Sequence, residues 1–174
     1  MHNALIDDFT RSDCASNGQR WRFFSDRVMG GVSEGSAEHR LAAGRPALLL
    51  SGTVSLANNG GFIQCSLDLA PDGQDFDASA FTGIAVTLRG DGGAYAINLR
   101  SSELSRPWQS YRAPLASTSH WKTHHLHFAD FDAHRTDRPL NAARLRRIGL
   151  IAIGEARRVD VAISQLEFMT PDQR

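Results

Sequence analysis

The sequence predicts an all-β protein: one β-sandwich of about eight or nine strands, with at most one or two short helices, in a single domain over residues 1–174. From about Ala47 onward, apolar and polar residues alternate with a period of two, as in strands that bury one face. Clusters of glycine, asparagine and aspartate separate these segments, and such residues tolerate the positive φ angles of tight turns. No segment after Ala47 has a convincing helical period.

The first pair of predicted strands is "ALLLSGTVSL" and "FIQCSLDL". In the second of these, the alternation places four apolar residues on one face: Ile63, Cys65, Leu67 and Leu69. The turn-forming residues Asn58, Asn59, Gly60 and Gly61 lie between the two segments. We therefore predict a β-hairpin here.

The second pair repeats this pattern, with "GDGG" (residues 90–93) between "GIAVTLRG" and "AYAINLRS". The faces predicted to be buried are Ile84, Val86 and Leu88 in one strand and Tyr95, Ile97 and Leu99 in the other. A second β-hairpin is expected.

The remaining predicted strands are "WQSYRAPL", "WKTHHLHF", "RIGLIAIG" and "VDVAISQLEF". Two short segments are candidate helices: Ser36 to Ala43, and Asn141 to Arg147, where Ala, Leu and Arg favour helix. The segment from Ala129 to Asn141 has the composition of a loop. No repeat or linker divides the chain, which favours one domain.

Net charge, the N-terminal residues and the cysteines predict which partners and which cellular location to expect. Lys and Arg together number 19, as do Asp and Glu, so bulk charge favours neither nucleic acid nor an anionic membrane. The N-terminal residues carry early acids and no long apolar run, which predicts no signal peptide, no transmembrane segment and a cytoplasmic protein. Cys14 and Cys65 lie outside any CxxC pair and are predicted to be free thiols.

Residues 31–35, "GVSEG", match the G-x-S-x-G pattern that exposes a serine nucleophile in α/β hydrolases. That motif needs a strand before the turn and a helix after it, whereas the surroundings here are predicted to be β. A serine esterase that uses Ser33 is therefore the least favoured of the functional hypotheses.

A histidine-rich segment offers a candidate metal site. His125 and His127 point the same way on a strand, with Asp130, Asp132 and His134 nearby. The favoured alternative is that they form the solvent face of a strand whose inner face holds His124, Leu126 and Phe128. No metal ion or cofactor is predicted.

Five aromatic residues have two interpretations: Trp21, Tyr95, Trp108, Tyr111 and Trp121. They could stack on sugar rings, but such residues more often fill the core, and we expect this for about two-thirds of them. Trp108, beside Pro107 in a polar segment, is predicted to be the most exposed.

Several motifs in order carry a family resemblance: Trp21, then "SDRVMGGVS", "SGTVSLANNGGF", "GIAVTLRGDGGAYAINLR", "RRIGLIAIG" and a final "ISQLEF". Together they resemble the CIA30 family, the complex I intermediate-associated protein 30 domain. The resemblance implies a galactose-binding-like jelly-roll sandwich without a catalytic centre. It also implies kinship with mitochondrial proteins that help to assemble respiratory complex I (NADH:ubiquinone oxidoreductase), here as a bare bacterial domain.

In this interpretation the glycines of the first motif allow close backbone packing, while Asp26, Arg27 and Ser33 supply fixed hydrogen bonds or a polar edge. Asp26 and Arg27 are expected to pair with charged residues of other motifs: Arg89, Arg100 or Asp91. The full set of candidate binding residues is Asp26, Arg27, Ser33, Asn58, Asn59, Arg89, Asp91, Tyr95, Arg100, Trp108 and Tyr111.

The leading functional hypothesis is a non-catalytic domain that binds a protein partner, such as a respiratory complex I subunit or assembly intermediate. The alternative is a module that binds a carbohydrate or another small ligand, with Trp108, Tyr111 and the Asn58-Asn59 turn lining the site.

Overall fold

The computed structural model describes residues 4–172, which form two antiparallel sheets of six strands each. The strands are β1 (Leu5–Asp7), β2 (Arg22–Ser25), β3 (Glu34–Ala42), β4 (Arg45–Val54), β5 (Phe62–Asp68), β6 (Gly83–Gly90), β7 (Ala94–Ser101), β8 (Ser110–Ala116), β9 (Lys122–His127), β10 (Asp132–His134), β11 (Leu145–Ile153) and β12 (Arg157–Met169). The all-β class is confirmed. The strand count exceeds the predicted eight or nine because the short strands β1, β2 and β10 were not predicted and because β3 lies where a helix was expected.

The first sheet has the order β3-β4-β12-β6-β9, with β1 paired to the far end of β12. The second sheet has the order β10-β8-β7-β11-β5-β2. Most connections carry the chain from one sheet to the other, as in a jelly roll. Strands that are distant in sequence are therefore neighbours in space.

The core lies between the two sheets and is built from the alternating apolar positions. Ile63, Cys65 and Leu67 of β5 are fully buried, as are Ile84, Val86 and Leu88 of β6. The buried faces predicted for these strands and for β7 are confirmed. The opposite faces point outward, so the polar residues between the core positions are available to form a site.

Both predicted hairpins are wrong. β4 and β5 lie in different sheets, and so do β6 and β7, so the turns at residues 58–61 and 90–93 cross between the sheets. β4 pairs with β12 and β3, whereas β5 pairs with β11 and β2. Period-two alternation fixes which face of a strand is buried but does not identify its partner, and these turn residues suit a crossing as well as a hairpin.

The first candidate helix is also wrong, because Ser36–Ala43 falls largely within β3, paired along its length with β4. The second, Asn141 to Arg147, contains a 3-10 turn at Ala142–Arg144 and then enters β11. The predicted loop at 129–141 includes the short strand β10. Tertiary pairing outweighs weak local helix propensity in each case.

Residues 4–172 contain no α-helix, and the helical segments are 3-10 turns: Asp26–Met29, Ala57–Asn59, Pro71–Gly73, Phe128–Asp130 and Ala142–Arg144. Within this range no helix has the length and apolar character needed to cross a bilayer. Cys14 and Cys65 are free thiols, as predicted.

Candidate functional site

A groove of about 450 Å³ lies on the outer face of the second sheet. Its floor is formed by outward positions of β5, β7, β8 and β11, including Gln64, Asn98, Arg112 and Gly149. Gly149 is needed for depth, because a Cβ there would lie 2.6 Å from Nε2 of Gln64. We call this feature the outer groove.

Strand register arranges the groove in rows that run across the sheet. One row passes from Phe24 through Gln64 to Ile151. The next passes from Gly149 through Asn98 to Arg112. Side chains are therefore apolar toward β2 and basic toward β8, with amides between them.

One rim of the outer groove is the loop that carries Trp108, whose side chain is 57% exposed, as predicted for this residue. Arg100 fixes this loop, since its Nη1 donates to the carbonyls of Arg106 (3.0 Å), Pro107 (2.9 Å) and Gln109 (2.5 Å). The guanidinium of Arg106 lies 6.0 Å from the centre of the Trp108 ring. The indole is thus held at the groove edge without being buried.

A second wall of the groove is apolar and comes from the 3-10 turn after β2 and from the end of β11. Met29 and Ile153 line it and are 60% and 42% exposed. Phe24 and Phe62 support it with an edge-to-face contact, their ring centres 6.0 Å apart. Exposed methionine and isoleucine side chains next to aromatic rings are typical of surfaces that bind other molecules.

Asp26 fixes the position of this wall. Its carboxylate is fully buried and accepts hydrogen bonds from Ser33 N (2.9 Å), Ser33 Oγ (2.5 Å), Gly61 N (2.5 Å) and Phe62 N (3.2 Å). One side chain thereby joins the loop between β2 and β3 to the loop between β4 and β5. We call this arrangement the Asp26 clamp.

Two glycines make room for the clamp. A Cβ at Gly31 would lie 2.4 Å from Cγ of Asp26, and a Cβ at Gly60 would lie 2.5 Å from its Oδ2. Burial opposes ionisation of Asp26, but hydrogen bonds from Ser33, Gly61 and Phe62 outweigh it and hold its pKa below the ordinary value. The clamp is thus a buried anion with its acceptor capacity filled.

The structure corrects the expected partners of the first motif. Asp26 bonds the hydroxyl and backbone N–H groups described above, and Arg27 donates to Ser33 O and pairs with Glu34. Neither residue pairs with Arg89, Arg100 or Asp91. Asp26 and Arg27 also lie in a 3-10 turn instead of a strand.

Ser33 lies inside the clamp and not on an exposed elbow. Its hydroxyl donates to Asp26 and accepts from the backbone N–H of Ser55 (2.9 Å). No histidine in residues 4–172 hydrogen-bonds it, and its surroundings are strands. This geometry does not activate Ser33 as a nucleophile.

The "GDGG" turn belongs to a second structural cluster, away from the outer groove. The hydroxyl of Tyr95 donates to Asp91 (2.9 Å), and Arg157 pairs with the same carboxylate at 3.2 Å. The Arg157 guanidinium also lies 4.6 Å from the centre of the Tyr95 ring. Burial is the main reason that the pKa of Tyr95 rises to about 12.

The other sequence candidates are dispersed. Asn59 lines the outer groove, whereas the side chain of Asn58 donates to Gly30 O at 3.3 Å. Tyr111 is buried and donates its hydroxyl to Arg138 O (3.0 Å). Arg89 lies on β6 in the first sheet. Of the candidate set, Asn59, Arg100 and Trp108 line the outer groove.

The other aromatic candidates and the histidine segment lie elsewhere. Trp21 and Trp121 are half-buried. His125 and His127 are exposed on β9, while Leu126 is buried on its inner face. In the part of the chain that the structure describes, no three His, Cys, Asp or Glu residues are grouped to hold a metal ion.

Sequence reasoning missed most of the outer groove: Gln64, Asn98, Arg112, Arg135, Arg147 and Gly149. It named His134 only as part of the candidate metal site. A signal was present, because the outward positions of β5, β7 and β8 alternate with the core positions and are mainly polar. Bringing them together requires the strand order, which alternation does not supply.

The chain belongs to the CIA30 family: the model described as "Complex I intermediate-associated protein 30 (CIA30)" matches residues 8–164. The order of motifs had indicated this family, and the match confirms it. No individual curated protein matches.

Solved structures with the same fold include carbohydrate-binding modules from Clostridium thermocellum. A family 11 module in complex with a β-1,3-1,4-mixed-linked tetrasaccharide is 18% identical, with a TM-score of 0.70 over 96% of this chain and 95% of that one. The family 11 module of the cellulase Lic26A-Cel5E is 16% identical, with a TM-score of 0.73 over 98% and 95%. A family 30 module is 14% identical, with a TM-score of 0.63 over 88% and 92%. At these identities the likeness establishes the galactose-binding-like sandwich fold.

Proposed function

We propose that this chain is a non-catalytic binding domain that holds a segment of a protein partner in the outer groove, and that the partner is a subunit or assembly intermediate of respiratory complex I. The observation that carries the proposal is the exposed apolar wall of the groove. Met29, Ile153 and the exposed indole of Trp108 line the same groove as its polar floor. Apolar and aromatic side chains around an extended cavity suit a polypeptide with its own apolar side chains.

The family supports the choice of partner, because its description names an association with a complex I intermediate. The structure supports a role without catalysis: Ser33, the nucleophile candidate, is enclosed in the clamp. In addition, no Asp or Glu lines the outer groove, and its histidine, His134, forms no ion pair with a carboxylate within residues 4–172 that would orient it as a general acid or base. A protein that stabilises an intermediate needs a surface and no reaction.

The proposal is tested in a host that makes complex I and lacks its own copy of this gene. Three proteins are expressed at equal levels: the wild type, a groove variant with Met29→Ser and Trp108→Ser, and a control with Leu41→Ser. Leu41 is 74% exposed on β3 of the other sheet, so it matches the groove residues in exposure and differs in position. The measurements are assembled complex I on native gels and the complex I subunits that copurify.

We expect the groove variant to lose the copurifying subunits and to lower assembled complex I, while the control behaves like wild type. Normal assembly without the gene would overturn the role in complex I. Equal copurification by the groove variant would overturn the groove as the binding surface.

A second candidate function is carbohydrate binding, favoured by the groove floor. The side-chain amide of Gln64 makes no hydrogen bond to another residue in 4–172, and it lies on the same surface as the exposed face of Trp108. Amides and an aromatic face are the groups that bind sugar hydroxyls and C–H faces. The structural neighbour with a bound mixed-linked tetrasaccharide suggests a ligand to test. Calorimetric titration with that tetrasaccharide and a glycan array would detect this function, and absence of binding in both would remove it.

A further inference from the structure

The outer groove is basic although the whole chain has equal numbers of acidic and basic residues. Arg100, Arg112, Arg135 and Arg147 line it, and neither Asp nor Glu does. A concave surface with one sign of charge concentrates ligands of the opposite sign.

Among the described residues, 4–172, only one of these arginines is paired with a carboxylate. Arg147 Nε donates to Asp68 at 2.9 Å. Arg100 is committed to backbone carbonyls, and Arg112 Nε donates to the neutral amide oxygen of Asn98 at 3.1 Å. Arg135 makes no ion pair within residues 4–172.

Asp132 is a candidate to neutralise the charge of Arg112, because it lies on the edge strand β10 as the register partner of Arg112 on β8. Its side chain is exposed, it does not line the outer groove, and it forms no ion pair within residues 4–172. The positive charges of Arg100, Arg112 and Arg135 therefore line the groove without an anionic partner in the described part of the chain.

These charges also act on one another. Burial, followed by the charges of Arg147 and Arg146, lowers the pKa of Arg100. Burial and then Arg135 lower the pKa of Arg112. Arginine stays charged, so Arg147 repels Arg100 and Arg135 repels Arg112, and an anion bound beside Arg112 and Arg135 would offset the second of these repulsions.

The three groove arginines that pair with no carboxylate within residues 4–172 lie toward one end of the groove: Arg100 on β7, Arg112 on β8 and Arg135 directly after β10. Strand order places Phe24 on β2 at the apolar end and Arg112 on β8 at the basic end. Four strand spacings separate these strands, about 19 Å. An extended peptide covers that distance with about six residues.

We infer that the outer groove binds an acidic polypeptide segment, with an apolar side chain against Met29, Phe24 and Ile153 and one or more Asp or Glu carboxylates against Arg112 and Arg135. This inference rests on the proposed function and specifies the chemistry of the segment that the groove accepts. The groove has an apolar end and a basic end, and this favours a peptide ligand. One short peptide can carry both an apolar side chain and a carboxylate at the required separation. An arginine can hold a carboxylate through two parallel hydrogen bonds.

The experiment is selection from a displayed library of random eight-residue peptides against the wild-type chain. In parallel, the library is selected against a variant with Arg112→Gln and Arg135→Gln and against a control with Arg158→Gln. Arg158 is exposed on β12 of the other sheet. Folding of each variant is checked by thermal unfolding, and a panel of neutral and uronic-acid oligosaccharides is screened alongside.

Peptides selected on the wild type and on the Arg158 control are expected to be enriched at least twofold in Asp and Glu next to an apolar residue. A selected peptide is expected to bind the double variant at least tenfold more weakly, and to lose a similar factor when its carboxylates are replaced by amides. The affinity for the wild type should fall as salt is raised, since exposed charges are screened.

Selected peptides without acidic enrichment, or equal enrichment on the double variant, would overturn this inference and leave the proposed function standing. A selection that yields no binding peptide would contradict both. Binding of an acidic oligosaccharide in place of peptides would assign the basic end to a different class of ligand. It would overturn the inference that the ligand is a peptide.

Discussion

The Asp26 clamp and the outer groove are adjacent, since Gly60, Gly61 and Phe62 belong to both, yet their polar groups are used in opposite ways. In the clamp, one buried carboxylate accepts four hydrogen bonds and two glycines close around it. In the groove, the amide of Gln64 and the guanidinium of Arg135 have no partner within residues 4–172. A polar group whose bonds are filled holds the fold, and one with free capacity at a surface is available to a ligand.

Residues of the family motifs therefore have two roles: some hold the fold, and others line the outer groove. Asp26, Gly31, Ser33 and Gly60 are structural, and they hold Met29 and Asn59 at the apolar end of the groove. Arg112 and Arg135 of the basic end lie outside the quoted motifs, on β8 and directly after β10, whereas Arg100 and Arg147 lie within them. Substitutions in the clamp should therefore lower the free energy of unfolding, whereas substitutions at the groove rim should mainly weaken binding.

The largest loss of stability is expected for Asp26→Asn. The new amide nitrogen would face the donors of Ser33 or Gly61, leaving buried groups unpaired at a cost of about 3 kcal/mol. Urea unfolding followed by tryptophan fluorescence measures this value. The control is Asp137→Asn, an exposed carboxylate expected to change stability by less than about 0.5 kcal/mol. Equal effects of the two substitutions would mean that the clamp is not structural.

A smaller loss is expected for Gly31→Ala, about 2 kcal/mol, because the added methyl group overlaps the Asp26 side chain. The same substitution in an Asp26→Ala background should cost less, since Cγ and Oδ1, each 2.4 Å from the added methyl group, are gone and only Cβ of residue 26 remains, at 2.8 Å. A double-mutant cycle measures the coupling, expected to be about 1 kcal/mol. Additive effects would place the cost in the backbone of Gly31 instead of in the clamp.

The pH dependence of stability sharpens the same point. The pKa of Asp26 is lower in the folded protein than its ordinary value of 3.8, so the clamp contributes fully above pH 3.8. Its contribution is lost as the pH falls through the folded-state pKa. The stability difference between wild type and Asp26→Asn should therefore narrow below pH 3.8. Urea titrations at a series of pH values check this, and a constant difference would show that the charge of Asp26 is not what stabilises the clamp.

The smallest effect on stability is expected at the groove rim. Trp108→Ser should change the free energy of unfolding by less than about 0.5 kcal/mol, because the indole is exposed and its removal leaves no cavity. Binding of a selected peptide should nevertheless weaken, as measured by fluorescence anisotropy of the labelled peptide. A large loss of stability would show that Trp108 stabilises the fold and is not a free part of the binding surface.

The sequence predicted the fold class and the buried faces well, because both follow from local alternation at positions such as Ile63 and Val86. Strand partners were not predictable in this way. β12 lies between β4 and β6, more than 60 residues before it in sequence, and that adjacency is set by how the two sheets stack.

The clamp was missed for a different reason. A search for a charged partner of Asp26 pointed to arginines, whereas its donors are a hydroxyl and backbone N–H groups, which carry no charge to reveal them. Trp108 was recognised as exposed because a polar, proline-containing context predicts a surface loop. Gln64 and Arg112 were not recognised, because each is an ordinary outward residue until the strand order places them on one surface.

The central claim is that ligands bind on the outer face of the second sheet. It is tested most directly by NMR chemical-shift mapping of the 15N-labelled chain with a peptide selected on it. The account predicts that the shifted amides cluster at Gln64, Asn98, Arg112 and Gly149 and at the loop that carries Trp108. Shifts confined to the outer face of the first sheet, around Ser51, Thr87 and Gln165, would contradict it.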